Sequence, residues 1–147
     1  MTFKVKAISA IIFLWVCCSS IGLQAQPYSG AIGARLGFPS GVSYKQFFSD
    51  KWAFEGIGGL YLGKGFNVTG MAEGHAEVFG EGLLAIYGFG AHVGSYNEKL
   101  DIGPDAIIGL EFVLDAPIAI TFDYKPALTL NSFRFINGGG LTLRYKW

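Results

Sequence analysis

The residues best suited to chemistry are two histidines that lie among carboxylates. Glu73, His75 and Glu77 alternate with small residues, so in a β-strand all three would share one face. Histidine beside carboxylates is a combination used for acid–base catalysis and for metal binding. Neighbours on one face of a strand are about 6.6 Å apart, however, so these three cannot all reach one ion. We therefore predict no metal site and no cofactor.

The second histidine, His92, falls on the next predicted strand. With a tight turn at Gly80-Glu81, His92 would pair with about Thr69. That position is roughly 13–20 Å from His75 along the strand. We do not expect the two histidines to form a shared site.

The elements that hold these residues show a two-residue rhythm. Leu141, Leu143, Tyr145 and Trp147 are apolar, and the residues between them are polar. Such alternation is typical of a strand with one apolar face and one polar face. Turn residues separate eight such segments. We predict strands at residues 28–37, 41–48, 52–62, 65–79, 83–96, 100–114, 118–130 and 133–147, the last interrupted at 137–140.

The N-terminus has the pattern of an export signal. Lys4 and Lys6 precede an apolar run that ends near Cys18, and Leu23-Gln24-Ala25 resembles a cleavage site. The run is about 12 residues, shorter than the roughly 20 of a spanning helix. We predict a signal peptide over residues 1–25 and one domain over residues 26–147; a membrane anchor and a lipoprotein are the alternatives.

Composition restricts the class of the remaining chain. The whole sequence has eleven basic and eleven acidic side chains, so loss of Lys4 and Lys6 leaves an acidic excess of two. A basic field for nucleic acid is therefore not expected. Charged residues make up 15% of the sequence, against about 25% in soluble domains.

The two strand faces indicate which side lies outward. One face is nearly all apolar, as at Ile108, Leu110 and Phe112, and the other is rich in glycine, which would suit a crowded interior. A lipocalin-like barrel would have the opposite arrangement. We predict an all-β fold, a closed antiparallel up-and-down transmembrane β-barrel of eight strands. An even strand number places both termini at one end.

The polar face predicts a structural ion-pair network in the lumen, since unpaired charges there would be costly. If residues 115–117 close the sixth hairpin, Asp105 lies diagonal to Lys125 and within its reach. By strand phase, the lumen residues are Arg35, Lys45, Glu55, Glu73, His75, Glu77, His92, Asp101, Asp105, Glu111, Asp123, Lys125, Arg144 and Lys146.

Aromatic residues are common near the predicted strand ends, where they would form girdles at the membrane interface. They include Tyr28, Phe38, Tyr96 and Trp147.

The chain resembles the small eight-stranded outer-membrane barrels of the OmpX and OmpA-transmembrane type, grouped as outer membrane protein β-barrel domains. The resemblance rests on residues 32–37, 107–112 and 122–127. Leu143, Tyr145 and Trp147 resemble the C-terminal signal read by the outer-membrane assembly machinery. The resemblance implies a cell outer-membrane location, periplasmic termini, and contact with outer-membrane lipids and lipopolysaccharide. We expect a monomer.

The resemblance specifies a fold and no reaction. We predict a structural or interaction role in the envelope. A lipid A deacylase or acyltransferase is the alternative, but deacylases carry His and Ser two residues apart, and Glu77 and Gly94 follow the two histidines at that spacing. A narrow pore for water or small ions is the second alternative.

Overall fold

The computed structural model describes residues 27–147 as a closed antiparallel barrel in which each strand pairs with its neighbours in sequence and β8 pairs with β1. The predicted signal peptide lies outside the described residues. The strands are β1 (Gly30–Phe38), β2 (Ser40–Phe47), β3 (Trp52–Tyr61), β4 (Gly65–Glu77), β5 (Leu83–Tyr96), β6 (Lys99–Val113), β7 (Ile118–Thr129) and β8 (Arg134–Lys146). No helix in this part of the chain is long and apolar enough to span a membrane.

The all-β class, the closed antiparallel barrel and its eight strands agree with the prediction. The prediction of a break in the last strand is wrong. β8 runs without interruption through Asn137 and the three glycines after it. Gly138 pairs with Lys125 on β7, and Gly140 pairs with Gly37 on β1. A side chain at Gly138 would collide with backbone oxygens of both neighbours, 2.6 Å away. The glycines therefore keep the closing strand paired on both edges.

The two termini meet at one end of the barrel. The amide of Trp147 donates to the Gly30 carbonyl at 2.9 Å, and the Ser29 amide donates to the Trp147 carbonyl at 2.7 Å. We call this end, with the turns at 48–51, 78–82 and 114–117, the terminal end. The opposite end has turns at 39, 62–64, 97–98 and 130–133, and we call it the far end. All seven turns are short, so little of the chain projects beyond the barrel.

The side chains have the opposite distribution from that of a soluble barrel. Arg144 is 1% exposed and Lys45 is fully buried, whereas Leu36 on the outer surface is 67% exposed. Eleven of the fourteen predicted lumen residues are buried, namely Arg35, Lys45, Glu55, Glu73, His75, His92, Asp101, Asp105, Glu111, Lys125 and Arg144. The polar face is therefore the inner one, as the strand phases predict.

The interior glycines do more than relieve crowding in the lumen, because they also lie against the backbone of the adjacent strand. A Cβ atom added at Gly103 would lie 1.7 Å from the carbonyl oxygen of Leu128 on β7. At Gly90 the nearest atom is the Gly70 oxygen on β4, at 2.0 Å. These glycines allow close approach of adjacent backbones in a small, strongly curved barrel.

Candidate functional site in the barrel lumen

The centre of the lumen is held by Arg144, which extends from β8 to four other strands. Its Nε donates to Ser43 Oγ at 3.0 Å, and its Nη1 donates to Thr121 Oγ1 at 2.5 Å. Its Nη2 donates to Glu55, and Nη1 lies 3.4 Å from Glu111 Oε2. One planar guanidinium thus connects β2, β3, β6 and β7 to β8, a geometry that a lysine ammonium does not provide.

Lys45 on β2 forms the second cationic centre of this group. Its Nζ lies 2.8 Å from Glu73 Oε2 and 3.0 Å from Glu111 Oε2. His75 Nε2 is 3.3 Å from the same ammonium. We call the residues around these two cations, Ser43, Lys45, Glu55, Glu73, His75, Glu111, Thr121 and Arg144, the central network.

Tyr28 covers the central network at the terminal end. It is buried, its hydroxyl donates to Glu111 Oε1 at 2.8 Å, and its ring packs edge-on against Phe47 with centroids 5.0 Å apart. Burial raises the pKa of the Tyr28 phenol well above its ordinary value, so it keeps its proton and remains a donor. The prediction that Tyr28 belongs to an interfacial girdle is wrong, because its ring and hydroxyl are held inside the barrel by Phe47 and Glu111.

The predicted Glu73–His75–Glu77 string does not act as a unit. Glu73 and His75 enter the central network, and the His75 ring packs on Phe47 with centroids 4.7 Å apart. Glu77 is only half-buried and lies at the terminal mouth, where it lines a cavity of about 370 Å³ with Lys146. Glu77 and Lys146 are therefore mouth residues rather than members of the central network.

A second group, the His92 network, lies nearer the far end and comprises His92, Asp101, Asp105, Lys125 and Thr129. His92 Nδ1 is hydrogen-bonded to Asp105, and Nε2 lies 3.2 Å from Asp101 Oδ1. Thr129 Oγ1 donates to Asp101 Oδ1 at 2.5 Å, and Lys125 Nζ donates to Asp105. His92 stands opposite Thr69, so the two histidines lie in separate networks.

Arg35 and Asp123 form the third lumen contact, a bidentate pair. Arg35 Nη1 and Nη2 donate to the two carboxylate oxygens at 2.5 and 2.8 Å. Arg35 Nε also donates to the Pro39 carbonyl at 3.2 Å, which ties the first far-end turn to the lumen. Paired geometry of this kind offsets part of the cost of removing the charges from water.

Sequence reasoning missed the hydroxyl groups that complete these networks. Ser43, Thr121 and Thr129 are buried and bond to network charges. The strand phase could have identified these residues as lumen-facing, because Ser43 is two residues from Lys45 and Thr121 is two residues from Asp123. Within residues 27–147, no group of three or more His, Cys, Asp or Glu side chains is arranged to hold a metal ion.

Comparison with known proteins gives no match: no family model, no curated protein and no solved structure matches this chain. The fold therefore rests on the structure itself, which is a closed antiparallel barrel of eight strands.

Proposed function

We propose that the protein is a barrel of the bacterial outer membrane, with a structural or interaction role in the envelope and no reaction of its own. The observation that carries this proposal is the inverted surface, with charges enclosed and large apolar side chains outside. Exposed apolar residues occur on every strand, for example Leu36 on β1, Val68 on β4 and Phe122 on β7. Water would disfavour so large an apolar surface, and a lipid bilayer would cover it.

The dimensions of the barrel support the same proposal. A membrane-spanning strand takes about 9–11 residues at a tilt of roughly 45°. The strands contain 8 to 15 residues, with the shortest in β2 and the longest in β6. The terminal end, where both chain ends lie, would face the periplasm, and the far end would face outward.

The histidine contacts argue against the lipid A enzyme. A serine nucleophile needs a histidine nitrogen free to take its proton. Carboxylates face both ring nitrogens of His92. His75 has Lys45 at Nε2, and no contact joins either histidine to a serine hydroxyl in the described part of the chain.

The filled lumen argues against an open pore. The side chains of Arg144, Lys45 and Glu111 meet in the middle of the barrel, and all three are buried. A solute would have to displace several of these ion pairs at once, and a buried charge left without its partner is strongly unfavourable.

Membrane fractionation of cells expressing the protein tests the location, combined with electrophoresis of heated and unheated samples. We expect the protein in the outer-membrane fraction, with faster migration when it is not boiled. Sequencing of the mature N-terminus should begin at Gln26. Recovery as a detergent-free periplasmic protein would contradict the proposal and favour a soluble carrier.

A further inference from the structure

The far end gathers three basic side chains around one tyrosine. Arg134 Cζ lies 3.8 Å from the centroid of the Tyr96 ring, and Lys64 Nζ lies 5.7 Å from the same centroid. Lys99 stands directly opposite Tyr96 in the β5–β6 ladder. The three cations come from the turn at 62–64, the start of β6 and the start of β8. Pairing of β5 with β4 and β6 places Lys64 and Lys99 beside Tyr96, and only Arg134 needs the closed barrel to reach it.

Arg134 reaches across the mouth of the barrel, because β8 and β5 are three places apart in the strand order. Beneath it, the Tyr96 ring packs on Tyr61 at 5.2 Å, and Tyr61 packs on Phe38 at 4.8 Å, both between centroids. This aromatic layer supports the guanidinium on one face. A stacked guanidinium keeps its N–H edge available to a planar or tetrahedral oxyanion.

A cavity of about 800 Å³ opens beside the stacked pair, a size within the usual range of roughly 300–1,000 Å³ for ligand sites. Tyr96, Lys99 and Arg134 line it together with neutral polar groups that include Asn97 and Ser132. The mouth thus combines a cationic wall with groups able to bond hydroxyls.

The positive charge of the far end is not neutralised by ion pairs. Among residues 27–147, Arg134 and Lys64 contact the tyrosine ring and, like Lys99, form no ion pair with a carboxylate. Asp101 on the cavity floor is engaged by His92 and Thr129 through Oδ1 only. The turns and mouth of the far end carry Lys64, Lys99 and Arg134 against Glu98 and the buried Asp101. The terminal end carries Asp50, Glu77, Glu81 and Asp115 against Lys51 and Lys146.

We propose that the far-end mouth is a binding site for a phosphate monoester. Arg134 and Lys99 hold the phosphate, whose two negative charges match these two cations. Asn97 and Ser132 face the remainder of the ligand, which fits a molecule with hydroxyl groups. The ligand is either a soluble phosphate ester or the phosphorylated head group of a lipid. The proposal does not depend on where the barrel resides.

The test is a titration of the purified protein in octyl glucoside with glycerol 3-phosphate, followed through backbone amide NMR shifts. We expect saturable shifts at residues 96–101 and 131–134 and none at residues 114–116. Arg134→Gln and Lys99→Gln should each weaken binding about tenfold or more. Lys146→Gln makes the same charge change at the other mouth and should leave binding unchanged. Lys99 is exposed and unpaired, so its variant decides the test if Arg134→Gln fails to fold.

Nanodiscs separate the two ligand sources. Shifts at the same residues with phosphatidic acid, absent with phosphatidylcholine and with glycerol 3-phosphate, would support the site with a lipid head group as its ligand. Shifts with glycerol 3-phosphate support a soluble ester. The absence of saturable shifts with both phosphate probes would overturn the proposal. Equal shifts with glycerol, or binding that survives both substitutions, would overturn it as well.

Discussion

Lys125 on β7 donates a hydrogen bond to Asp105 on β6, although the residue directly opposite Asp105 is Ala127. The pair is diagonal, and the long lysine side chain spans the offset inside the lumen. Asp105 is also hydrogen-bonded to His92 Nδ1, so one carboxylate joins side chains from two neighbouring strands. Asp105 and Lys125 are both buried, so loss of either side chain leaves the other without its counter-charge.

Asp105→Ala should lower the free energy of unfolding by about 3–5 kcal/mol, because Lys125 would remain buried and unpaired. The double variant with Lys125→Met should recover part of this loss. Urea titrations of both single variants and the double variant give the coupling energy. Strict additivity of the two single effects would rule out the pair as a stabilising unit.

Arg144→Met should be at least as damaging, with a loss of about 3–5 kcal/mol, since Glu55 and Glu111 both lose a partner. The matched control is Lys146→Met on the same strand face, where the side chain sits at the mouth. A half-exposed charge of that kind contributes about 0–1 kcal/mol. Equal effects of the two substitutions in urea unfolding would contradict the central role of Arg144.

His75→Ala and His92→Ala should both leave lipid A unchanged, because we assign the two histidines to ion-pair networks rather than to catalysis. Mass spectrometry of lipid A from cells expressing each variant measures the acyl pattern. The wild-type protein and an empty vector serve as controls. A changed pattern in a variant whose barrel still folds would overturn the structural assignment and favour an acyltransferase or deacylase.

Trp147→Ala should slow barrel insertion in cells. Trp147 directly follows the strand that closes the barrel and is half-exposed at the terminal end. Its ring lies 6.4 Å from that of Tyr44 between centroids. Pulse–chase labelling with unheated electrophoresis follows the appearance of the folded form. Asp50→Ala, in an exposed turn at the same end, is the control. Insertion at the wild-type rate would contradict the assignment of Leu143, Tyr145 and Trp147 as an assembly signal.

Gly90→Ala should lower the free energy of unfolding by about 1–3 kcal/mol more than Gly56→Ala, because the added methyl group overpacks the barrel at Gly90. The added Cβ would lie 2.0 Å from a backbone oxygen at Gly90, whereas its nearest neighbour at Gly56 is a Phe54 ring carbon at 3.8 Å. Both glycines lie within strands, so the loss of backbone freedom is similar. Equal stability of the two variants would show that the strands can separate at little cost.

Local patterns determined much of the fold. A two-residue period sets the face of every strand residue, and short turns leave few choices of register, so the strand number, the inward charges and the Asp105–Lys125 pair all follow from adjacent segments. Glu77 and Lys146 had the correct phase, but phase does not measure depth along the lumen. They therefore lie at a mouth rather than in a network.

Contacts across the barrel were decided only by the tertiary structure. Arg144 donates a hydrogen bond to Glu55, which is 89 residues away in the sequence. Arg134 stacks on Tyr96, although their strands are three places apart in the barrel. No alternation or turn pattern specifies such pairs, because they depend on closure, shear and the length of each inward side chain. The sequence by itself thus determined which residues face inward, and barrel closure determined which of them meet.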